Sequence, residues 1–249
     1  MQARGAAYVF VPSPFSHLLL HISNHGPHMP EPTVPAPPGT QLMADASPVP
    51  VQSLEDFLAH ATADVMPDSP SEGTLQVYED AHSRLPNQCR FFHVASDYYD
   101  WPFEQRARVL GCPSTFHLCK TLVFENTKWK QDETKVVDAD RYWCVIVQYE
   151  GSVNITKLEK AVRERTGASR KGMHLRIAPA EKSHELTGFT NNAVSPVGMK
   201  TDLPILVSSV ITELSPPLLY LGAGHVDWKI ALPVQSFVEK WNASVIDFS

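Results

Sequence analysis

Three groups of residues in this chain have types and spacings that could do chemistry. Lys120 stands between Cys119 and the apolar run Thr121-Leu-Val-Phe124. A lysine entering a core strand either lays its stem over apolar surface to reach water, or projects its ammonium into a cleft. There it can hold a phosphate, a carboxylate or a developing oxyanion. The residues alone leave both readings open. Thr187 to Lys200, T-G-F-T-N-N-A-V-S-P-V-G-M-K, sets two glycines, a proline and small polar residues between apolar segments. This predicts an ordered loop that offers backbone N–H groups, with an ordinary surface connection as the competing reading. Gly222-Ala-Gly224-His225 precedes Asp227-Trp-Lys229. Its small residues would let a ligand approach the backbone, although by itself it is a hairpin turn. His225, with an ordinary pKa of about 6.5, suits a ligand contact or a proton shuttle, and equally a histidine bonded to its own hairpin.

Other chemistries find little support. Ser195 has no nucleophile elbow, and no G-x-S-x-G, P-loop or H-E-x-x-H pattern occurs. His17 and His21, followed by His25 and His28, have helical metal-ligand spacing but no accompanying Glu. No metal and no cofactor is expected. Cys89, Cys112, Cys119 and Cys144 include no C-x-x-C pair and lie among apolar residues, which predicts buried reduced thiols in an intracellular, cytoplasmic protein. No apolar run approaches the roughly 18 residues of a membrane span, so no membrane partner is expected. The segment from Ala6 to Ile22, broken by Pro12 and Pro14, makes a poor secretory signal. The lack of acid before Glu31 keeps an organellar address in view.

The elements that must position these residues follow from composition and periodicity. With 249 residues, 43% of them hydrophobic, the chain can bury a proper core. Ten of the 21 prolines fall before residue 51, so residues 1–50 are expected to be a disordered Pro/His-rich tail. A short helix and linker over 51–70 and a folded domain over 71–249 follow. Helices are predicted from Ser53, over 71–85, from Asp100 to Gly111, over 155–166 with Gly167 as cap, over 179–186 closed by Gly188, and over 233–241. Strands are predicted at 89–95, 121–124, 142–149, 174–177, 204–208, 218–221 and 228–232, the second and third being neighbours joined by a long polar hairpin connection. The fold class is therefore α+β with a largely antiparallel or mixed sheet.

Charge is uneven. The net charge of −6 argues against simple coating of nucleic acid, DNA included, and residues 31–105 hold 12 acids against Arg84 and Arg90. From Lys157 to Lys182 the balance reverses, with Lys157, Lys160, Arg163, Arg165, Arg170, Lys171, Arg176 and Lys182 against three glutamates. That stretch reads equally as a polyanion-facing surface or as a solvated helix face with i,i+4 pairs.

The order Cys119-Lys-Thr-Leu-Val-Phe124, helix, Glu185-Leu-Thr-Gly188-Phe, Val194-Ser-Pro-Val-Gly198, then Leu219-Tyr-Leu-Gly222-Ala-Gly-His225 resembles the YbaK/ProX family. These are trans-editing aminoacyl-tRNA deacylases related to the insertion domain of bacterial prolyl-tRNA synthetase. The likeness runs from about Ser71 to Val245, and the Tyr98-Tyr-Asp-Trp-Pro102 segment is similar to an uncharacterised eukaryotic branch. The resemblance implies a curved mixed β-sheet flanked by helices, with a cleft for the tRNA 3′ end. It implies a central catalytic role for Lys120 and a loop, Asn192 to Pro196, that presents backbone groups to the aminoacyl ester in a G-x-x-x-P pattern. Asn192 occupies the expected glycine and Ala193 a position where a second glycine is common. Asn is the non-glycine residue that best tolerates positive φ, so the loop shape can survive.

The implied activity is metal-independent hydrolysis of the ester of a mischarged tRNA. Lys120 would stabilise charge, and Asn192, Ala193, Val194, Ser195, Pro196, Gly198, Gly222, Gly224 and His225 would bind substrate. The expected partners are the tRNA acceptor end and an aminoacyl-tRNA synthetase. A non-catalytic module that binds tRNA or a synthetase is the alternative, and a nucleotide-binding domain without a link to tRNA is a remoter one.

Overall fold

The computed structural model describes residues 48–61, 70–130 and 141–249. The expected N-terminal tail, its histidine cluster and most of the 126–141 connection lie outside them.

Helices α1 (Leu54–Ala59) and α2 (Glu72–Arg84) start where Ser53 and Ser71 cap them, each hydroxyl accepting from the N–H three residues on. Strand β1 (Arg90–His93) follows, then a 3₁₀ turn over Tyr98–Asp100 and α3 (Phe103–Val109), which stops before Gly111 at φ 62°. The segment expected as one helix from Asp100 is thus a 3₁₀ turn and a helix separated by Trp101 and Pro102. A further 3₁₀ turn, Thr115–His117, leads into β2 (Cys119–Asn126), whose long partner is β3 (Tyr142–Gln148). Then come α4 (Ile155–Thr166), β4 (Leu175–Ile177), α5 (Ala180–Thr187), β5 (Ile205–Ser208), β6 (Leu218–Gly222), β7 (Trp228–Pro233), α6 (Val234–Lys240) and β8 (Ser244–Ile246). Gly167 and Gly188 cap α4 and α5 in the left-handed conformation, as expected for residues free of a Cβ.

The strands form two sheets, β1-β7-β6 and the mixed β4-β2-β3-β5-β8. The expected β2–β3 neighbourhood is present over seven residue pairs, from Cys119↔Gln148 to Glu125↔Tyr142. The expected mixed sheet is present as β4-β2-β3-β5-β8, and it meets the second sheet at a seam where a parallel bridge joins Leu118 of the β2 entry to Tyr220 of β6.

Side chains alternate across each strand, which sorts the core into three clusters. Cys119, Val123, Cys144 and Ile146 share one face with Val77 and Ala81 of α2, Phe237 of α6, and Phe189, Ala193 and Val197 of the 187–200 loop. At the seam, on the other face, Leu118, Tyr220 and Ala231 pack with Tyr98, Leu110 and Phe57. Further along that same face, Phe124, Trp143, Val145 and Val147 are covered by Leu158 and Val162 of α4. Lys120 belongs to this second face and lies between two apolar patches. All four cysteines are buried and free, and no helix among the described residues is long and apolar enough to cross a membrane.

Candidate active site

The site is assembled at the seam. In the β6–β7 ladder Gly222 pairs with Lys229. The isolated parallel bridge Leu118↔Tyr220 brings the start of β2 beside β6, with Lys120 two residues on from the bridge in one strand and Gly222 two residues on in the other. Lys229 and Gly222 share one face of the β6–β7 ladder and line a small cavity there. The Lys120 Nζ lies 5.5 Å from the centroid of the Tyr149 ring. Half-burial holds its pKa below the ordinary lysine range.

The loop meets β6 from the side. A Cβ on Gly222 would stand 3.1 Å from the Val194 carbonyl oxygen, tighter than ordinary van der Waals contact, so loop or strand would have to give by a few tenths of an ångström. The Gly224 N–H donates to the Ala193 carbonyl at 3.2 Å. The Tyr99 hydroxyl donates to the Asn192 carbonyl at 2.6 Å, and Tyr99 and Tyr149 line one small cavity together with Gly222. Burial pushes both phenols up, so they stay protonated and act as donors.

Asn192 adopts φ 63°, the left-handed shape anticipated at the position where the resembling family has glycine. The Ala193 N–H, expected to face the substrate, donates instead to the Thr190 carbonyl at 3.0 Å, because the turn at Asn192 folds it back. The next two N–H groups differ. Among the described residues, those of Val194 and Ser195 have no protein acceptor, while the Ala193 carbonyl, opposite the Val194 N–H on one peptide, is bonded to Gly224. The Ser195 hydroxyl is buried and accepts from the Val197 N–H, so it is a turn-former rather than a nucleophile. Burial likewise pushes the Cys119 thiol up, out of reach of a thiolate role.

Pro196 and Gly198 face away from Lys120, into a cleft shared with Gln76, Asp80 and Trp241. Gly198, at φ 72°, gives its N–H to the Asp80 carboxylate at 2.8 Å and accepts from the Gln76 amide. It anchors the loop on α2. Gly224, at φ 77°, has the same character. A Cβ there would stand 2.2 Å from the Gly73 carbonyl oxygen. The His225 Nδ1 accepts from the Asp227 N–H at 3.2 Å and lies 3.7 Å from its carboxylate, the hairpin-bonded arrangement.

Several contributors are invisible to local pattern. Arg106 of α3 is buried, donates from Nε to the Trp101 carbonyl at 2.8 Å and from Nη2 to the Tyr99 carbonyl, and so fixes the segment that carries Tyr99. Lys229 is 4% exposed. Its Nζ donates to the Val226 carbonyl at 2.6 Å and sits 4.7 Å from the ring centroids of both Tyr98 and Tyr99. Burial lowers its pKa to about 7, with Asp227 opposing and Arg106 adding to the fall. These residues and Gly222 enclose a space of about one water molecule. A lysine inside Trp228-Lys-Ile-Ala-Leu is the same sequence signal as Lys120 before its apolar run.

The basic stretch divides in two. Lys157 bonds Asp247 at 3.0 Å, Lys160 approaches Glu164, and Lys182 pairs with Glu185 at 2.6 Å. Among the described residues Arg163, Arg170, Lys171 and Arg176 have no carboxylate partner. Arg170 and Lys171 lie in the 3₁₀ turn Arg170–Gly172, where the Asn126 amide donates to the Gly172 carbonyl at 3.0 Å. They follow α4, the helix that covers the Lys120 face of β2 and β3. Among the described residues no cluster of His, Cys, Asp and Glu could hold a metal ion.

Residues 102–239 match the family model of the aminoacyl-tRNA editing domain. Among solved structures, a candidate trans-editing enzyme for prolyl tRNA synthetase is similar at 20% identity and TM-score 0.58, over 73% of this chain and 99% of its own. The hypothetical protein APE2540 is similar at 20% identity and TM-score 0.52, over 69% and 97%. At these identities the likeness shows the fold. No curated protein matches the chain.

Proposed function

Since the chain belongs to the aminoacyl-tRNA editing domain family, we propose that it is a trans-acting aminoacyl-tRNA deacylase that hydrolyses the ester of a mischarged tRNA. The observation that carries this reading is the meeting of Lys120, Gly222 and the Val194–Ser195 peptide at one seam. There a half-buried cation lies beside a close contact between strand and loop that a side chain at 222 would crowd.

In this reading the aminoacyl ester lies near Gly222 with its carbonyl oxygen toward Lys120, because the trans peptides that turn the Ala193 and Val194 carbonyls toward Gly222 point the Val194 and Ser195 N–H groups away from it. Water attacks the carbonyl carbon, and the charge on the oxygen is met by the Lys120 ammonium. Collapse breaks the bond to the terminal ribose oxygen, which takes a proton as the water-derived oxygen loses one. The products are free amino acid and uncharged tRNA. With Ser195 engaged in a turn and Cys119 kept as a thiol, the substrate itself is left to supply the base. The unpaired Arg170 and Lys171 stand six residues along β2 from Lys120, about 20 Å at 3.3 Å per residue. This suits the phosphates of a short single-stranded 3′ end. Buried reduced thiols suit a cytoplasmic setting.

The competing reading is a non-catalytic module that binds tRNA or a synthetase. It is favoured by one observation, the engagement of the Ala193 N–H with Thr190. A deacylation panel of several mischarged tRNAs on this protein and on Lys120→Ala separates the two. Release by the native chain and a loss of about a hundredfold in Lys120→Ala are expected. No release above buffer by either protein overturns the enzymatic reading.

A further inference from the structure

Lys229 lines the small cavity beside Gly222 and is the most buried lysine of the site, at 4% exposure. A buried cation is retained only where its surroundings replace water. Here two kinds of group do so. The Nζ donates to the Val226 carbonyl at 2.6 Å and to the Trp228 carbonyl at 3.3 Å, closing the turn between β6 and β7. Its remaining side faces the rings of Tyr98 and Tyr99, both at 4.7 Å. The groups around it are Asp227 on its own turn, Arg106 from α3, Tyr98 and Tyr99 from the 3₁₀ turn, Tyr149, Cys119 of β2 and Tyr220 of β6. Arg106 fixes the backbone of Tyr99, while its ring is held by Lys229.

We propose that Lys229 is a positioning residue for the 192–198 loop: its buried head group seats the Tyr99 ring so that the Tyr99 hydroxyl holds the Asn192 carbonyl and thereby sets the Val194–Ser195 peptide against Gly222. The geometry is a relay of three contacts. Lys229 meets the ring, the hydroxyl meets Asn192 at 2.6 Å, and Asn192 in its left-handed conformation turns the following peptides. The far end of the loop is gripped separately, by Asp80 on the Gly198 N–H. Loss of the relay therefore loosens one end of the loop and leaves the other in place. For its catalytic consequence the inference rests on the deacylase reading, but its structural claim is measured without activity.

The test is amide hydrogen exchange on the full chain, compared among native protein, Lys229→Met and Tyr99→Phe, the last removing only a hydroxyl. The Ala193 N–H is expected to exchange about tenfold faster in both variants, with Gly198 unchanged. In the double variant Ala193 should be no faster than in either single one. If the native chain deacylates a tRNA, Lys229→Met is expected to lower kcat about tenfold while KM for that tRNA stays constant. Unchanged exchange at Ala193 in a folded Lys229→Met, or in Tyr99→Phe should Lys229→Met not fold, overturns the relay. Equal acceleration at Ala193 and Gly198 overturns it as well, because that reports general loosening. If the relay holds while the native chain deacylates nothing, the deacylase reading fails alone.

Discussion

Lys229 and Gly222 face each other across the β6–β7 ladder, where the missing side chain of Gly222 leaves a gap of about one water molecule beside the buried lysine. A side chain at 222 would point into this gap and press on the Val194 carbonyl, which lies 3.1 Å from the Cβ position. Gly222→Val is expected to abolish deacylation, by more than a hundredfold, while destabilising the fold by only about 1 to 3 kcal/mol, the ordinary cost of overpacking. Single-turnover deacylation and urea unfolding on the same preparation check both halves.

Lys120 presents the opposite case. Its pKa is lowered by burial, so the folded state carries that charge at a cost. Lys120→Met should remove deacylation by about a hundredfold yet leave the thermal midpoint equal to or above that of the native chain. A lower midpoint, seen by calorimetry, would show that Lys120 serves structure instead. On the proposed role of Lys120 as a cation, the activity of native protein should fall with rising pH at a lower value than an ordinary lysine would give.

The pKa of Lys229, lowered to about 7, gives a stability signature with a definite sign. Between about 7 and the ordinary lysine value near 10.4 the unfolded chain binds the proton and the folded one does not, so this group makes stability rise with pH across that window. Below pH 7 both states are protonated and the contribution is flat. Urea midpoints of native protein minus those of Lys229→Met should climb from pH 7 to 9. A difference independent of pH rules this out.

Asp80 accepts from the Gly198 N–H and the Trp241 indole, each at 2.8 Å, and from Arg84 at 2.7 Å. Asp80→Ala leaves two inward donors without an acceptor, and a loss of about 2 to 3 kcal/mol is expected in urea unfolding. Asp80→Asn, which keeps one acceptor oxygen, should lose about half as much.

The unpaired cations of the 170–176 region predict a salt effect. For a single-stranded RNA end, each phosphate contact contributes about −0.7 to the slope of log affinity against log salt. Arg170→Ala with Lys171→Ala should therefore flatten that slope by about 1.4, read by filter binding from 50 to 200 mM salt. Substituting Lys157, which is engaged by Asp247, should leave the slope unchanged.

What could be read in the chain followed from local physical chemistry. Ser71, Gly167 and Gly188 marked helix ends because caps act within a few residues. The β-branched and aromatic runs marked β2 and β3 as partners. Strand β8 went unread because it is three residues long and owes its existence to parallel pairing with β5. The division into two sheets depends on the Leu118↔Tyr220 register, which no local period encodes. In the site, Lys120, Asn192 and Gly222 stand out by type and context. Gln76 and Asp80 do not, since ordinary polar residues on a helix acquire their role from bonds to Gly198 more than a hundred residues away.

The backbone contact between Gly73 and Gly224 reaches beyond catalysis. Either residue, given a Cβ, would meet the other's carbonyl oxygen at 2.4 Å or less, so the start of α2 and the hairpin tip fit only as two bare backbones. The segment recognisable as the editing domain begins at residue 102, yet the piece that wedges its hairpin and ties down its loop lies 29 residues upstream. A gene trimmed to the recognisable segment would encode the domain without its brace, and because Val51 and Phe57 also pack at the seam, the natural cut for a minimal protein falls before Val51.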